Sequence, residues 1–218
     1  MPSLILQNAN VFDGESEELL ESHHVLIEDD RIREVSEKPI TSSGAEKLDV
    51  KGAVVMPGLI DAHVHAMDWG ASPAELETSP ASYTALRAAQ NLRRMLHRGF
   101  TTVRDACGAD FGLAAAVNEG LIESPRLFFV GRALSATGGH GDFRARGDDR
   151  YEDVCGCADR GLSLIVDGEP AVRRAARNEL RKGAHAVKIM ASGGVASPSD
   201  PIGNLLFSEA EIRAIVEV

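Results

Sequence analysis

Two histidines one residue apart are the first sign of chemistry in this chain: His63 and His65, in the run Pro57-Gly58-Leu59-Ile60-Asp61-Ala62-His63-Val64-His65. Side chains alternate across a β-strand, so on a strand both imidazoles point to one side and Val64 to the other. Two imidazoles so placed can share a metal ion; the plainer alternative is a pair of polar residues on an exposed strand face. A second unusual residue is Lys188, inside the apolar stretch Ala186-Val187-Lys188-Ile189-Met190. Burying an ammonium is costly, which favours the neutral amine. A neutral amine can add to carbon dioxide and become a carbamate, an anion with two oxygen ligands. The alternatives are a side chain that reaches back to water, or one that meets a buried carboxylate.

A third feature is the long segment 131–160, which contains Thr137-Gly138-Gly139-His140-Gly141-Asp142. Loops of this length in compact domains are often functional. Asp105, at the end of a short β-branched stretch, is suited to orienting a neighbouring group or to a plain strand-end hydrogen bond. His23, His24, His97 and His185 complete the seven histidines and read as surface or structural residues. Cys107, Cys155 and Cys157 are too few and too unevenly placed for a disulfide framework. Cys155-Gly156-Cys157 has one intervening residue, where structural zinc sites usually have two, so it reads as ordinary loop or core cysteine.

The elements that must position these groups follow from periodicity. Residues 4–11, 25–35 and 53–56 read as short strands, the second stretch divided by the polar turn Glu28-Asp29-Asp30-Arg31. Residues 1–57 are therefore expected to form a small β domain. From residue 58 strands alternate with helices, as in a parallel sheet of βα units. Strands are expected at 59–64, 101–104, 126–130 and 186–190, with helices at 82–98, 111–118 and 171–181 between them. In the first helix Tyr83, Leu86, Ala89, Leu92 and Leu96 supply the apolar stripe. Ser208-Glu209-Ala210-Glu211 matches a capping box, with Phe207 and Ile212 as its hydrophobic staple. In a barrel the C-terminal ends of the strands carry the active site, which is where His63 and His65 fall.

The stretch from Pro57 to His65 resembles the first-strand signature of the amidohydrolase superfamily, whose members pair a composite β domain with a (β/α)₈ barrel. The resemblance runs along essentially the whole chain. It implies that His63 and His65 bind the more buried metal of a mononuclear or binuclear centre, with Asp61 supporting the strand. Binuclear members carry a carboxylated lysine on the fourth barrel strand, and the resemblance assigns that bridging role to Lys188. Two divalent ions and carbon dioxide are thus the implied cofactors. Zinc is expected from imidazole and carboxylate-like ligands, although manganese, iron and cobalt are compatible. Ser192-Gly193-Gly194 resembles, more narrowly, the branch with Xaa-Pro and Xaa-Arg dipeptidases and imidazolonepropionase-like proteins. Glycine there lets backbone approach a ligand closely. That branch has a similar Gly-Gly-His-Gly stretch, which implies that His140 contacts or polarises a substrate carbonyl. His140, Gly193 and Gly194 are accordingly the candidate substrate-binding residues.

The superfamily takes two further histidines from strands five and six and an aspartate base from strand eight, and these are expected to lie outside this sequence. Residues 58–218 hold four recognisable βα units, against eight units and ~250 residues in a closed barrel. The chain is therefore expected to be the N-terminal half of a metal-dependent hydrolase of C–N bonds, acting on a dipeptide or N-acyl amino acid and inactive by itself. Alternatives are a non-catalytic truncated half-barrel or a subunit that needs a partner chain, and a cyclic-amide hydrolase of the imidazolonepropionase type; Lys188 argues against the mononuclear deaminases. The net charge of −10 disfavours a nucleic-acid partner. No apolar run approaches the ~18 residues of a membrane span, and the first residues, Met1 to Asn10, lack the basic flank and small-residue cleavage site expected of a secretory signal. A cytoplasmic protein with a small-molecule substrate and no membrane partner is expected, with self-association favoured by open strand edges.

Overall fold

The computed structural model describes residues 3–68, 70, 72–144, 147, 161–195 and 200–218. Cys155 and Cys157 lie outside the described residues, as does part of the loop expected over 131–160. The chain divides into two compact units, Met1–Gly58 and Leu59–Val218.

The first unit is one mixed sheet. β1 (Ser3–Val11) pairs antiparallel with β2 (Leu20–Glu28), which pairs antiparallel with β3 (Arg31–Ser36). β4 (Glu46–Asp49) and β5 (Val54–Val55) both run parallel to β1. The tight β2–β3 turn is the expected Asp29-Asp30 corner, with Asp29 in the left-handed region at φ 56°. Alternation gives the sheet two apolar faces. Ile5 opposite Leu26 packs with Ile40, while Leu6 opposite Val25 packs with Ala9 and Val11. β2 begins five residues before the expected strand, through Leu20-Glu21-Ser22-His23-His24, and β4 was not expected at all. Both stretches are largely polar and exposed, so their pairing with β1 leaves no hydrophobic alternation to read.

The second unit has the arrangement of βα-barrel units. β6 (Leu59–Val64), β7 (Phe100–Asp105) and β8 (Arg126–Phe129) form a parallel sheet in that order. α1 (Pro73–Thr78) and α2 (Ala81–Leu96) lie between β6 and β7 in the chain, and α3 (Phe111–Asn118) between β7 and β8. Val64, Val103, Leu127 and Phe129 from the strands pack with Leu92 of α2 and Ala114 of α3 in one core. The stripe that α2 buries is Thr84, Ala88 and Leu92, whereas Tyr83 and Leu86 are exposed, a shift from the expected face. Small side chains at Thr84 and Ala88 let the helix sit close to the sheet, and apolar type alone does not reveal that preference.

β9 (Ala133–Ser135) continues from β8 after a break at Val130-Gly131-Arg132, where Gly131 takes a φ of 75°. β10 (Ser163–Ile165) pairs parallel with β9, and the following α4 (Glu169–Arg181) and α5 (Glu209–Val216) pack onto it through Val172, Ala176, Ala214 and Ile215. Ser208 and Glu211 form the expected capping box, and Phe207 and Ile212 join the same core. The fourth strand expected at 186–190 is present only as a single parallel bridge, Leu134 to Ile189. Leu134 N donates to Lys188 O at 2.8 Å and Met190 N to Leu134 O at 2.9 Å, so the segment runs extended beside β9. The break at Gly131 interrupts the edge that a longer ladder would need. Among the described residues no helix is long and apolar enough to cross a membrane.

Candidate metal centre

His63 and His65 stand at the C-terminal end of β6, where the register with β7 shifts between Asp61 and Val64. Such an irregularity re-aims side chains. The Asp61 carboxylate accepts the His63 amide at 3.1 Å in place of a ladder partner, and Val64 between the two histidines is buried. The two rings lie on the same side, centroids 5.3 Å apart and nearly perpendicular.

Neighbouring strand β7 supplies the support. Asp105 is fully buried at its end and accepts the Ala66 amide at 2.6 Å, the Ala109 amide at 3.1 Å and the Cys107 amide. Burial pushes the Asp105 carboxyl up to about 7, against the three amides that favour its anion. Ala66 follows His65 directly, so Asp105 fixes the backbone that leaves the histidine pair. Cys107 meets the ring itself: its carbonyl oxygen lies 3.4 Å and its sulfur 3.3 Å from His65 Nδ1. A carbonyl only accepts, so a bond to it places the proton on His65 Nδ1 and leaves Nε2 its lone pair, the form in which a histidine ligates a metal, whereas the thiol can also donate to Nδ1.

Burial is the largest cause lowering the His65 pKa, and the charges of His63 and Lys188 add to it, while the Cys107 carbonyl and Asp68 oppose. A neutral imidazole is thus favoured. Burial also pushes the Cys107 thiol up to about 12, which makes it a neutral neighbour rather than a thiolate ligand or nucleophile. Lys188 is half-buried and close enough for its charge to act on both His65 and Cys107. Among the described residues it forms no ion pair. Two imidazoles with free lone-pair positions and a lysine beside them suit a divalent ion, with the lysine as carbamate giving the third protein ligand that catalytic zinc sites have. Among the described residues no cluster of three or more His, Cys, Asp or Glu side chains is placed to hold a metal.

His140 is brought together with Gly194: the space of a Cβ at Gly194 is taken by the imidazole. Its loop is tightly tied, with Gly138 N donating to Asp142 Oδ2 at 2.9 Å, Gly141 N to Ser135 Oγ at 3.0 Å and Ser163 Oγ to Gly141 O. Although burial opposes its ionisation, the Asp142 carboxyl is held below its usual value by Arg144 and the Gly138 amide. Gly193 faces backbone instead, where a Cβ would overlap the Pro201 carbonyl. Among the described residues no hydrogen bond or ring contact joins His140 to His63 or His65. His185 packs against the rings of Phe128 and Phe129, and His97 lies 3.5 Å from Glu123. A largely apolar cavity of about 660 Å³ lies among Leu76, Leu86, Phe111, Leu113 and Phe129, and Met67 and Gly108 also line it. The neighbour that sequence reasoning missed is Cys107; its place just past the end of the strand beside β6 was the available signal.

A profile of the Amidohydrolase family matches residues 54–218. Among solved structures, one described as a prolidase complexed with N-methylphosphonate-L-proline is 51% identical, with a TM-score of 0.93 over 99% of this chain and 53% of that one. A Xaa-Pro dipeptidase structure with methionine in the active site is 27% identical, with a TM-score of 0.84 over 99% of this chain and 53% of that one. Ochratoxinase of Aspergillus niger is 38% identical over 175 residues, 75% of this chain and 36% of its own length. The chain spans about half the length of these solved relatives and about a third of ochratoxinase.

Proposed function

This chain belongs to the amidohydrolase family, and from that membership we propose that His63, His65 and Lys188 belong to the metal centre of a hydrolase that cleaves the C–N bond of a dipeptide or N-acyl amino acid. The observation that carries the reading is His65: a half-buried imidazole, favoured neutral, with the Cys107 carbonyl 3.4 Å from its Nδ1, beside His63 and a half-buried Lys188 that forms no ion pair among the described residues. The chemistry that a pair of divalent ions supplies when bound is acidification of a water to hydroxide and polarisation of the scissile carbonyl.

The residues of this chain prepare that chemistry. His63 and His65 offer two nitrogens from one strand end, and Asp105 and Cys107 hold the second of them in place. The Lys188 ammonium would first lose a proton, and the neutral amine would then add to carbon dioxide with loss of a second, giving an anionic ligand with two oxygens. His140 is assigned to the substrate carbonyl. The prolidase, Xaa-Pro dipeptidase and ochratoxinase relatives support an amide bond as target. Zinc remains the expected metal.

The test is hydrolysis of a panel of Xaa-Pro dipeptides and N-acyl amino acids, by this chain and by a form continued through its reading frame to the length of its relatives. Activity in the longer form that a chelator removes and zinc restores supports the reading. A longer form that takes up metal yet cleaves none of the panel would show that family membership describes ancestry, not this activity.

A further inference from the structure

Gly194 follows Lys188 by six residues, and the place of its missing side chain is occupied by a ring. A Cβ there would overlap Cε1 and Nδ1 of His140 and lie 2.7 Å from its Nε2. The backbone of Gly194 is not in the left-handed region, so it is the imidazole, and not the chain conformation, that excludes a side chain. His140 is held from its own loop as well. A Cβ at Gly139 would lie 2.8 Å from Leu206 Cδ1 and 2.9 Å from the Ala136 carbonyl, and one at Gly141 would lie 2.7 Å from Ser163 Cβ. The glycines on both sides of the histidine are therefore close-packed.

Held in this way, His140 Nδ1 is enclosed and has no hydrogen-bond partner among the described residues. A neutral imidazole carries its proton on one nitrogen and a lone pair on the other. An enclosed N–H without an acceptor is rarer than an under-used acceptor, which favours the bare form of Nδ1. We propose that Gly194 is a positioning residue that seats His140 as its Nε2–H tautomer, so that Nε2 presents a donor to the carbonyl oxygen of an amide substrate. The substrate part of this proposal rests on the function proposed above; the seating does not.

Imidazole ¹⁵N spectra distinguish the two tautomers, and His140→Gln identifies the His140 signals in this chain. The expected result is the Nε2–H form, with Gly194→Ala moving the His140 signals while those of His185 stay in place. An Nδ1–H form, or unchanged His140 signals in Gly194→Ala, overturns the proposal. Should Gly194→Ala fold poorly, His140→Ala in the same chain removes the ring that the new methyl meets and is expected to restore the thermal midpoint; no recovery counts against the seating. In the metal-loaded longer form, Gly194→Ala is expected to lower kcat/KM by about 10- to 100-fold, the scale of a misplaced catalytic group, and to add nothing once His140 is Gln. An equal loss in both backgrounds overturns the proposal, because Gly194 would then act without His140. If His140→Gln leaves hydrolysis unchanged, the carbonyl contact is lost from the account and the spectra alone decide the seating.

Discussion

Asp105 supports the histidine pair more than its distance from it in sequence suggests. Its carboxylate gathers the amides of Ala66, Ala109 and Cys107 in a fully buried position. Asp105→Ala leaves those donors without an acceptor, at about 1–3 kcal/mol for each one that stays buried. Urea unfolding is expected to show a loss of at least about 3 kcal/mol; an unchanged midpoint would contradict the role. His65 sets a pH dependence. Its folded pKa lies below the ordinary 6.5, so as pH falls through 6.5 the unfolded chain takes up a proton before the folded one. Metal-free protein should therefore lose stability on acidification below that value more steeply than His65→Gln, as urea midpoints above and below pH 6.5 would reveal. Residue type and spacing singled out His63, His65 and Lys188 in the sequence, and the structure puts the two rings side by side with the Lys188 charge within reach of His65. Cys107 at His65 and the ring on Gly194 were not legible in the sequence, because both contacts join segments far apart in the chain or separated by a loop.

Elements were most readable where burial follows a single period. β6 and α3 occupy the residues expected of them, since each is a short apolar run with clear stops. The capping box at Ser208 was readable for a different reason: its two side chains and two amides are all local. Ser208→Ala should cost about 1 kcal/mol, and thermal unfolding compared with an exposed control such as Ser43→Ala checks it. The face of α2 was misread because small residues, not large ones, meet the sheet. The fourth strand was foreseen as a full element and forms a single bridge, because its neighbouring edge is broken at Gly131. That break depends on the φ of one glycine, which the hydrophobic pattern does not encode.

Each of the two units has its own apolar core, and the second also exposes much apolar surface. Ile60 on β6 is 70% exposed, and Leu86, Val195 and Leu205 are more so. Among the described residues β6 pairs along one edge only. An open strand edge beside exposed apolar side chains favours association, so the 218-residue chain is expected to sediment as an oligomer or aggregate; a compact monomer at all concentrations would contradict this. Most directly tested by metal content is the central claim, that His63, His65 and Lys188 serve one centre. In the longer form, in the presence of bicarbonate, we expect about two divalent ions per chain, a clear loss in Lys188→Ala, and further loss when His63 and His65 are replaced together. Full metal content in Lys188→Ala would contradict the bridging role, and full content without the two histidines would contradict the centre itself.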